Sequence, residues 1–300
     1  MKTSFISTIR LVTPGILTAL LLASGCSTDE TSRLPALNTV SGSRRLPGKF
    51  VWADLVTDDV SAARGFYAQM FGWTFRNAGN YVIACNDDRP LCGMFQRPRP
   101  GDASAQPRWF GYISVGDVGR AEDTVRRLGG KVVIERQELP KRGVQAVFAD
   151  PEGAVFGVVK SSSGDLPDFL ADPGDWMWIQ LLSRDAAKAA EFYRAVGGYE
   201  IVSNTESNRL SDYVLVSEGF ARATVRTIPA ANTQTRPTWL PFVRVKSVAE
   251  SAALAKQLGG KVLIEPRPDV LEGKAAVVAD PTGAAIGIME WDEHLLKGGK

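Results

Sequence analysis

Apolar residues along the chain alternate between two spacings, and the same order of spacings occurs four times. Stripes with helical spacing begin at Ala63, Val118, Ala189 and Val248, and one or two glycines follow each stripe. Short apolar runs rich in branched and aromatic residues precede and follow the stripes. This pattern predicts four modules, each with one strand, one helix and then three strands.

The second half of the chain repeats the first, which groups the four modules into two domains. The repeated segments are 66–67 with 192–193, 128–135 with 258–265, and 149–154 with 279–284. Asp59, placed to cap a helix, recurs 126 residues later as Asp185, and Asp150 recurs 130 residues later as Asp280. We therefore predict an α+β protein of four βαβββ modules in two domains.

The first 25 residues have the character of an export signal. Lys2 and Arg10 accompany an apolar stretch that is too short to span a bilayer. The segment 21–26, Leu-Leu-Ala-Ser-Gly-Cys, resembles the lipobox of bacterial lipoproteins, which implies cleavage before Cys26 and lipid on its thiol and amino group. Ser27, in place of Asp, then implies an outer-membrane protein that faces the periplasm. The alternative is an ordinary signal peptide with an incidental cysteine.

The residues after Cys26 have little apolar periodicity and predict a flexible tether. The predicted divisions are the signal at 1–25, the tether at 26–48, the first domain at 49–160, a linker at 161–175, the second domain at 176–293 and a tail at 294–300.

Charge argues against a nucleic-acid partner. The chain has 35 basic and 33 acidic residues, and loss of the signal removes Lys2 and Arg10 but no acid, which leaves equal numbers. Nucleic-acid-binding domains usually carry a clear basic excess. No phosphate loop, dinucleotide fingerprint or nucleophile elbow occurs either. The expected partners are a small molecule and, through the lipid, a membrane, and the oligomeric state stays open.

Two further cysteines lie on either side of a predicted turn. Cys85 and Cys92 flank the turn-rich stretch 86–91 between two apolar runs, which predicts a β-hairpin. Cysteine pairs in exported proteins are often oxidised. We therefore predict one intrachain Cys85–Cys92 disulfide, provided that the cross-strand geometry suits it.

The repeated motifs resemble those of the vicinal-oxygen-chelate superfamily, which has the glyoxalase and bleomycin-resistance fold. The resemblance rests on the spacing from Asp59 to Phe66-Tyr67, on Leu-Gly-Gly-Lys-Val at 128–132 and on Asp-Pro-x-Gly at 150–153, each with its repeat. It implies two glyoxalase-like domains with concave mixed sheets, each formed by a pair of modules.

Most enzymes of that superfamily hold a divalent metal through His and Glu on the first and last strands of paired modules. The resemblance places these ligands at Trp52, Phe110, Trp178 and Leu240 on the first strands, and at Gly157 and Gly287 on the last strands. None of these residues has a metal-binding side chain. The one histidine, His294, lies in the polar tail. We expect no metal and no other cofactor, with an all-carboxylate Mg²⁺ or Ca²⁺ site as the alternative.

Strand alternation predicts which side chains face the concave side of each sheet. In the first strand, Trp52 and Asp54 face the concave side, while Val51 packs under the helix. In the equivalent strand of the second half, Trp176, Trp178 and Gln180 face the concave side. The predicted ligand-binding residues are Trp52, Asp54, Phe110, Tyr112, Trp178, Gln180, Phe242 and Arg244. Aromatic rings with a few polar groups are typical of small-ligand sites. The alternative is that these rings fill a closed core.

Three functions stay open on the sequence. The favoured one is a lipid-anchored, metal-free protein that binds a small, partly aromatic molecule. The second is a lyase, isomerase or dioxygenase of the same superfamily, with Asp54 as a general base or with an unusual metal site. The third is a non-catalytic surface scaffold with filled cavities. Because Asp54 corresponds to Gln180, and Ser114 to Arg244, we expect the two halves to differ in function.

Overall fold

A computed structural model describes residues 34–37, 44–96, 106–203, 211–268 and 271–291. The predicted export signal, Cys26 and His294 lie outside these residues. None of the helices in the described ranges has both the length and the apolar character of a membrane span.

The described part of each half contains two modules in the predicted order. The first half consists of β1 (Phe50–Thr57), α1 (Val60–Phe71), β2 (Thr74–Ala78), β3 (Tyr81–Asn86), β4 (Arg89–Gln96), β5 (Arg108–Ser114), α2 (Val118–Arg127), β6 (Lys131–Leu139), β7 (Gly143–Ala149) and β8 (Val155–Ser161). The second half consists of β9 (Trp176–Ser183), α3 (Ala186–Gly197), β10 (Glu200–Ser203), β11 (Tyr213–Ser217), β12 (Phe220–Thr227), β13 (Thr238–Arg244), α4 (Val248–Gln257), β14 (Lys261–Ile264), β15 (Ala275–Ala279) and β16 (Ala285–Met289). The prediction of βαβββ modules is confirmed.

Each half forms one mixed sheet, and the two sheets have the same topology. The strand orders are β2-β3-β4-β1-β5-β8-β7-β6 and β10-β11-β12-β9-β13-β16-β15-β14. β1 runs antiparallel to β5, and β9 antiparallel to β13. The first strands of paired modules therefore meet at the centre of each sheet.

Local chemistry explains why the helices begin and end where they do. Each N-cap side chain accepts a hydrogen bond of 2.9–3.2 Å from the backbone amide three residues later in the chain. The N-cap residues are Asp59, Asp117, Asp185 and Ser247. In the Gly-Gly motifs, Gly129 and Gly259 have φ angles of 85° and 81°, which favour glycine. A Cβ at Gly260 would lie 2.5 Å from the carbonyl oxygen of Ala279, so the second glycine permits close packing.

The helices lie between the two sheets, so the halves share their cores. α1 packs against α4, and α2 packs against α3. One buried cluster joins Phe66 and Met94 of the first half to Ile286 of the second, and another joins Phe156 to Phe192. The opposite faces of the sheets, which we call the first and second concave faces, point away from this shared core.

Two matching relays of hydrogen bonds connect the halves inside this core. Trp109 Nε1 donates to the Tyr67 hydroxyl at 2.8 Å, which donates to Asp280 Oδ2 of the other half at 3.0 Å. The second relay runs from Trp239 through Tyr193 to Asp150, at 2.9 and 3.1 Å. Burial and the neighbouring carboxylates raise the pKa of both tyrosines well above the usual value, so both remain donors. The Phe-Tyr and Asp-Pro motifs therefore bind the two halves together.

The prediction of side-chain direction is wrong at the start of β1 and of β9. The register shifts between Phe50 and Trp52, and the equivalent shift in β9 separates Trp176 from Trp178, so each strand carries one extra residue. Val51 consequently packs on the first concave face, against the buried cluster that contains Trp52 and Tyr112. Trp176 instead faces the shared core, where its ring centroid lies 5.3 Å from that of Trp109.

The predicted disulfide does not form in the structure, in which Cys85 and Cys92 are both free and buried. The hairpin itself is confirmed, but Ala84 pairs with Cys92 and Cys85 pairs with Pro90. The two thiols point to opposite faces of the sheet, since Cys85 lies in the buried cluster of the first concave face and Cys92 lies in the shared core. Opposite faces exclude the short Cβ–Cβ distance that a disulfide requires.

Parts of the segment predicted as a flexible tether contact both domains. Gly48 donates its amide to Ser114 of the first half, and its carbonyl accepts from the Tyr199 hydroxyl of the second half at 2.6 Å. Ser217 also donates to the carbonyl of Pro47. Leu37 is buried against the first concave face. The packed structure thus begins before residue 49.

Removing one tyrosine hydroxyl from the relay tests how strongly it joins the halves. Tyr67→Phe leaves the Trp109 indole and one Asp280 oxygen without their buried partner, so we expect the free energy of unfolding to fall by about 2 kcal/mol or more. Tyr213→Phe is the control, because that hydroxyl makes no hydrogen bond with the described residues and its loss should change stability by less than about 0.5 kcal/mol. Urea unfolding measures both values, and equal losses would contradict the relay's role.

Candidate functional site

Asp54 lies at the centre of a hydrogen-bonded group on the first concave face. Its Oδ1 accepts from Trp52 Nε1 at 2.9 Å and from the Tyr81 hydroxyl at 2.5 Å, and its Oδ2 accepts from the Tyr112 hydroxyl at 2.9 Å. The Asp54 residue is only 4% exposed. Three donors therefore satisfy this buried carboxylate, as the cost of burying an ion requires.

The protonation states of the two phenols keep this group intact. Burial, followed by the negative charge of Asp54, raises the pKa of Tyr81 and of Tyr112 well above the usual value. Both phenols therefore donate, and Asp54 accepts at three of its roughly four acceptor positions. This geometry favours a positioning role for Asp54 over the predicted general-base role, because a substrate proton would have to compete with three existing donors.

Arg142 also lies on the first concave face, and sequence reasoning missed it. Its guanidinium carbon lies 4.4 Å from the centre of the Trp52 ring, and its Nε donates to the carbonyl oxygen of Pro35 at 3.3 Å. The residue is 1% exposed. The sequence Lys141-Arg142-Gly143 is typical of an exposed turn and does not indicate that its arginine is buried. Tyr81, by contrast, follows from extending strand alternation to β3.

The first concave face is closed in the structure. None of its four predicted ligand-binding residues is more than 4% exposed. They are Trp52, Asp54, Phe110 and Tyr112. The three aromatic residues among them share one buried cluster with Leu37 from the N-terminal segment. The structure therefore brings these four residues together as predicted but covers them.

Aromatic rings occupy the space next to the two last-strand positions at which the superfamily resemblance places Glu. A Cβ on Gly157 would lie 2.2 Å from Cδ1 of Tyr112, and a Cβ on Gly287 would lie 2.2 Å from Cδ1 of Phe242. Tyr112 of β5 pairs with Gly157, and Phe242 of β13 pairs with Gly287, so each ring lies over the glycine of the neighbouring strand. A longer residue at either glycine would displace the ring.

The described residues therefore do not fit the divalent metal that the resemblance implies. Among them, no three side chains of His, Cys, Asp or Glu form a group able to hold a metal ion. Asp54 is the one carboxylate among the predicted site residues, and neutral donors already engage it. The described side chains of these faces therefore supply no donor set for a divalent metal.

The second concave face has equivalent residues but more open side chains. Trp178 Nε1 and Gln180 Nε2 both donate to Thr224 Oγ1, at 3.0 and 3.2 Å. The Trp178 and Gln180 side chains are partly exposed, whereas Phe242 is buried beneath them. Met289 packs at the edge of the same cluster. The side chains of the two concave faces therefore differ in solvent exposure.

Arg244, predicted to bind a ligand, instead anchors the linker between the domains. Its Nη1 donates to the carbonyl oxygen of Ala171 at 2.6 Å, and its backbone pairs with Gly174 and Asp175. The equivalent residue of the first half, Ser114, donates to Asp165 of the same linker at 2.6 Å. Both residues lie at the ends of their strands. Their side chains point to the concave side as strand alternation predicts, but the linker covers them.

Gly157→Ala tests whether the Tyr112 ring occupies the last-strand position. The new methyl group overlaps the ring, so we expect a loss of about 1–3 kcal/mol in the free energy of unfolding. Gly65→Ala is the control, because Gly65 is exposed within α1, has no atom within 4 Å of its Cβ position, and should gain up to about 1 kcal/mol. Urea unfolding distinguishes the two, and a neutral Gly157→Ala would mean that the ring can move aside.

Two family models match the chain, one in each domain. The model described as "Glyoxalase/Bleomycin resistance protein/Dioxygenase superfamily" matches residues 49–158, and the one described as "Glyoxalase-like domain" matches residues 177–289. The match boundaries agree with the two structural repeats.

Known proteins support the same assignment. The chain is 30% identical over 266 residues to anthracycline biosynthesis protein DauV of Streptomyces sp. strain C5, covering 83% of this chain and 96% of that protein. Its fold is similar to a Mn(II)-bound glyoxalase from Novosphingobium aromaticivorans (TM-score 0.54, 16% identity, 82% of each chain). It is also similar to homoprotocatechuate 2,3-dioxygenase from Brevibacterium fuscum (TM-score 0.56, 12% identity, 85% of this chain and 83% of that one). The chain therefore belongs to the glyoxalase/bleomycin resistance protein/dioxygenase superfamily.

Proposed function

We propose that this protein binds a small, partly aromatic molecule on the second concave face, without a metal. The observation that carries the proposal is the partly exposed pair Trp178 and Gln180. Both lie on the face where the superfamily resemblance places metal ligands, yet neither is a metal-binding side chain of the usual kind. An aromatic ring beside an amide is a typical combination in small-ligand sites.

The polar contacts indicate which groups the ligand presents. Because Trp178 and Gln180 both donate to Thr224 Oγ1, the Thr224 hydroxyl can donate its own hydrogen only to a group outside this pair. A ligand carbonyl or hydroxyl oxygen would accept that hydrogen. The flat part of the ligand would lie against the Trp178 ring, where aromatic stacking contributes beyond the buried area alone.

The similarity to DauV supports an aromatic ligand. That protein is described as an anthracycline biosynthesis protein, and anthracyclines as a chemical class contain fused aromatic rings. Fused rings suit a partly exposed face that carries a tryptophan and a methionine, Trp178 and Met289. Daunorubicin, an anthracycline with its own fluorescence, is therefore a suitable probe.

We also propose that the mature protein is anchored to a membrane through lipid on Cys26 and faces the periplasm from the outer membrane. The lipobox-like ending at 21–26 supports this placement. An anchored binding protein would hold its ligand at the membrane surface.

Daunorubicin binding should depend on Trp178. We expect Trp178→Ala to weaken binding at least tenfold, because the ring supplies the stacking surface, as measured by fluorescence anisotropy. Phe220→Ala is the matched control, since Phe220 is an exposed aromatic residue of β12 outside the second concave cluster. Affinity should also survive dialysis against EDTA. Equal effects of the two substitutions, or loss of binding after EDTA, would contradict the proposal.

Membrane attachment should depend on Cys26. In a bacterium that processes lipoproteins, the native chain should incorporate labelled palmitate and sediment with the membranes, and Cys26→Ser should do neither. Cys85→Ser is the control for loss of a cysteine elsewhere. Membrane association of Cys26→Ser at the native level would argue against the anchor.

A further inference from the structure

The first concave face carries an occupant that belongs to the chain itself. Leu37 is 4% exposed and lies in one buried cluster with Trp52, Phe110 and Tyr112. Two residues earlier, the Pro35 carbonyl oxygen accepts from Arg142 Nε at 3.3 Å. The segment Leu34–Leu37 thus places one apolar group and one oxygen acceptor on a face built of aromatic rings.

Arg142 is not satisfied by that occupant. Its Nη2 is buried and has no hydrogen-bond partner among the described residues. A buried cation without a hydrogen-bonded counter-ion is unfavourable, and a carbonyl oxygen compensates it only in part. The Arg142 guanidinium therefore retains the capacity to bind an anion.

The nearby carboxylate does not fill this role. Asp54 accepts from Trp52, Tyr81 and Tyr112, and within the described part of the chain no hydrogen bond or ion pair joins it to Arg142. Arg142 instead stacks on Trp52 and lies 5.9 Å from the centre of the Tyr81 ring. The rings hold the guanidinium in place and leave its donors available.

Arg142 also has no counterpart in the second half of the sequence repeat. The residue 130 positions later is Glu272, which has the opposite charge and a side chain that is 85% exposed. A residue needed only to maintain the turn before the seventh strand would have a counterpart of similar burial. Arg142 therefore distinguishes the first concave face from the second.

We propose that the first concave face binds a small molecule with an aromatic ring and a carboxylate, and that the segment Leu34–Leu37 occupies this site until the ligand displaces it. The ligand carboxylate pairs with Arg142, and its ring takes the place of Leu37 against Trp52 and Phe110. This inference extends the proposed function to the first domain and does not depend on binding at Trp178.

The chemistry favours such a ligand over the segment at the polar end. A carboxylate can accept two charge-assisted hydrogen bonds from a guanidinium, which are stronger than the single bond to the Pro35 carbonyl. Two residues of chain span no more than about 7 Å, which limits the distance between the carboxylate and the ring. Because the segment must leave first, the apparent affinity is lowered by the fraction of chains in which the face is open.

The test compares 2-naphthoate with its neutral amide, 2-naphthamide, by isothermal titration calorimetry on the purified chain. We expect 2-naphthoate to bind at least tenfold more tightly than 2-naphthamide. Arg142→Met should abolish this preference, whereas Lys141→Met, which removes the same charge from an exposed neighbour, should leave it unchanged. Leu37→Ser should raise the affinity for 2-naphthoate several-fold, because it weakens the occupant.

Hydrogen exchange and one further variant complete the test. Amide exchange in the peptide that contains residues 34–37 should become faster when 2-naphthoate binds, and Trp178→Ala should not alter 2-naphthoate binding. The inference is overturned if Arg142→Met keeps the preference for the carboxylate. It is equally overturned if exchange at 34–37 stays the same or slows in the bound state, or if Leu37→Ser binds no 2-naphthoate.

Discussion

The structure depends on the reciprocal Trp–Tyr–Asp relays that join the two halves inside their shared core. In each relay the aspartate also shapes its own turn, since Asp150 Oδ1 accepts the amides of Glu152 and Ala154 while Oδ2 accepts from Tyr193. One carboxylate therefore fixes a local turn and a contact between halves. With the helices held in the middle, both concave faces point away from the core and can diverge without disturbing it.

The two faces have diverged around a common pattern. On both, an aromatic ring of a first strand lies over a glycine of a last strand, Tyr112 on Gly157 and Phe242 on Gly287, where the resemblance places a metal-binding Glu. Beyond that pattern, the first face buries the Asp54 group beneath the chain's own Leu37. The second face keeps its side chains partly exposed. The protein thus retains the frame of its superfamily and fills the expected metal positions with its own rings.

The sequence predicts the frame well because the frame depends on local signals. Asp59 caps its helix and Gly129 ends one through contacts within a few residues, so spacing is sufficient. The direction of Trp176 depends on a bulge against β13, and the separation of Cys85 from Cys92 depends on hairpin register, neither of which residue spacing encodes. Arg142 meets Pro35 across more than a hundred residues, so no local pattern indicates that contact.

The proposed function makes the concave faces binding surfaces lined by the protein's own rings and not metal centres. Titrating Mn²⁺ into the purified chain distinguishes these two roles, with free Mn²⁺ followed by its electron paramagnetic resonance signal. Without a metal centre, the signal should rise in proportion to added metal, as it does in buffer. Loss of one equivalent of free Mn²⁺ per domain would instead show that the faces hold metal.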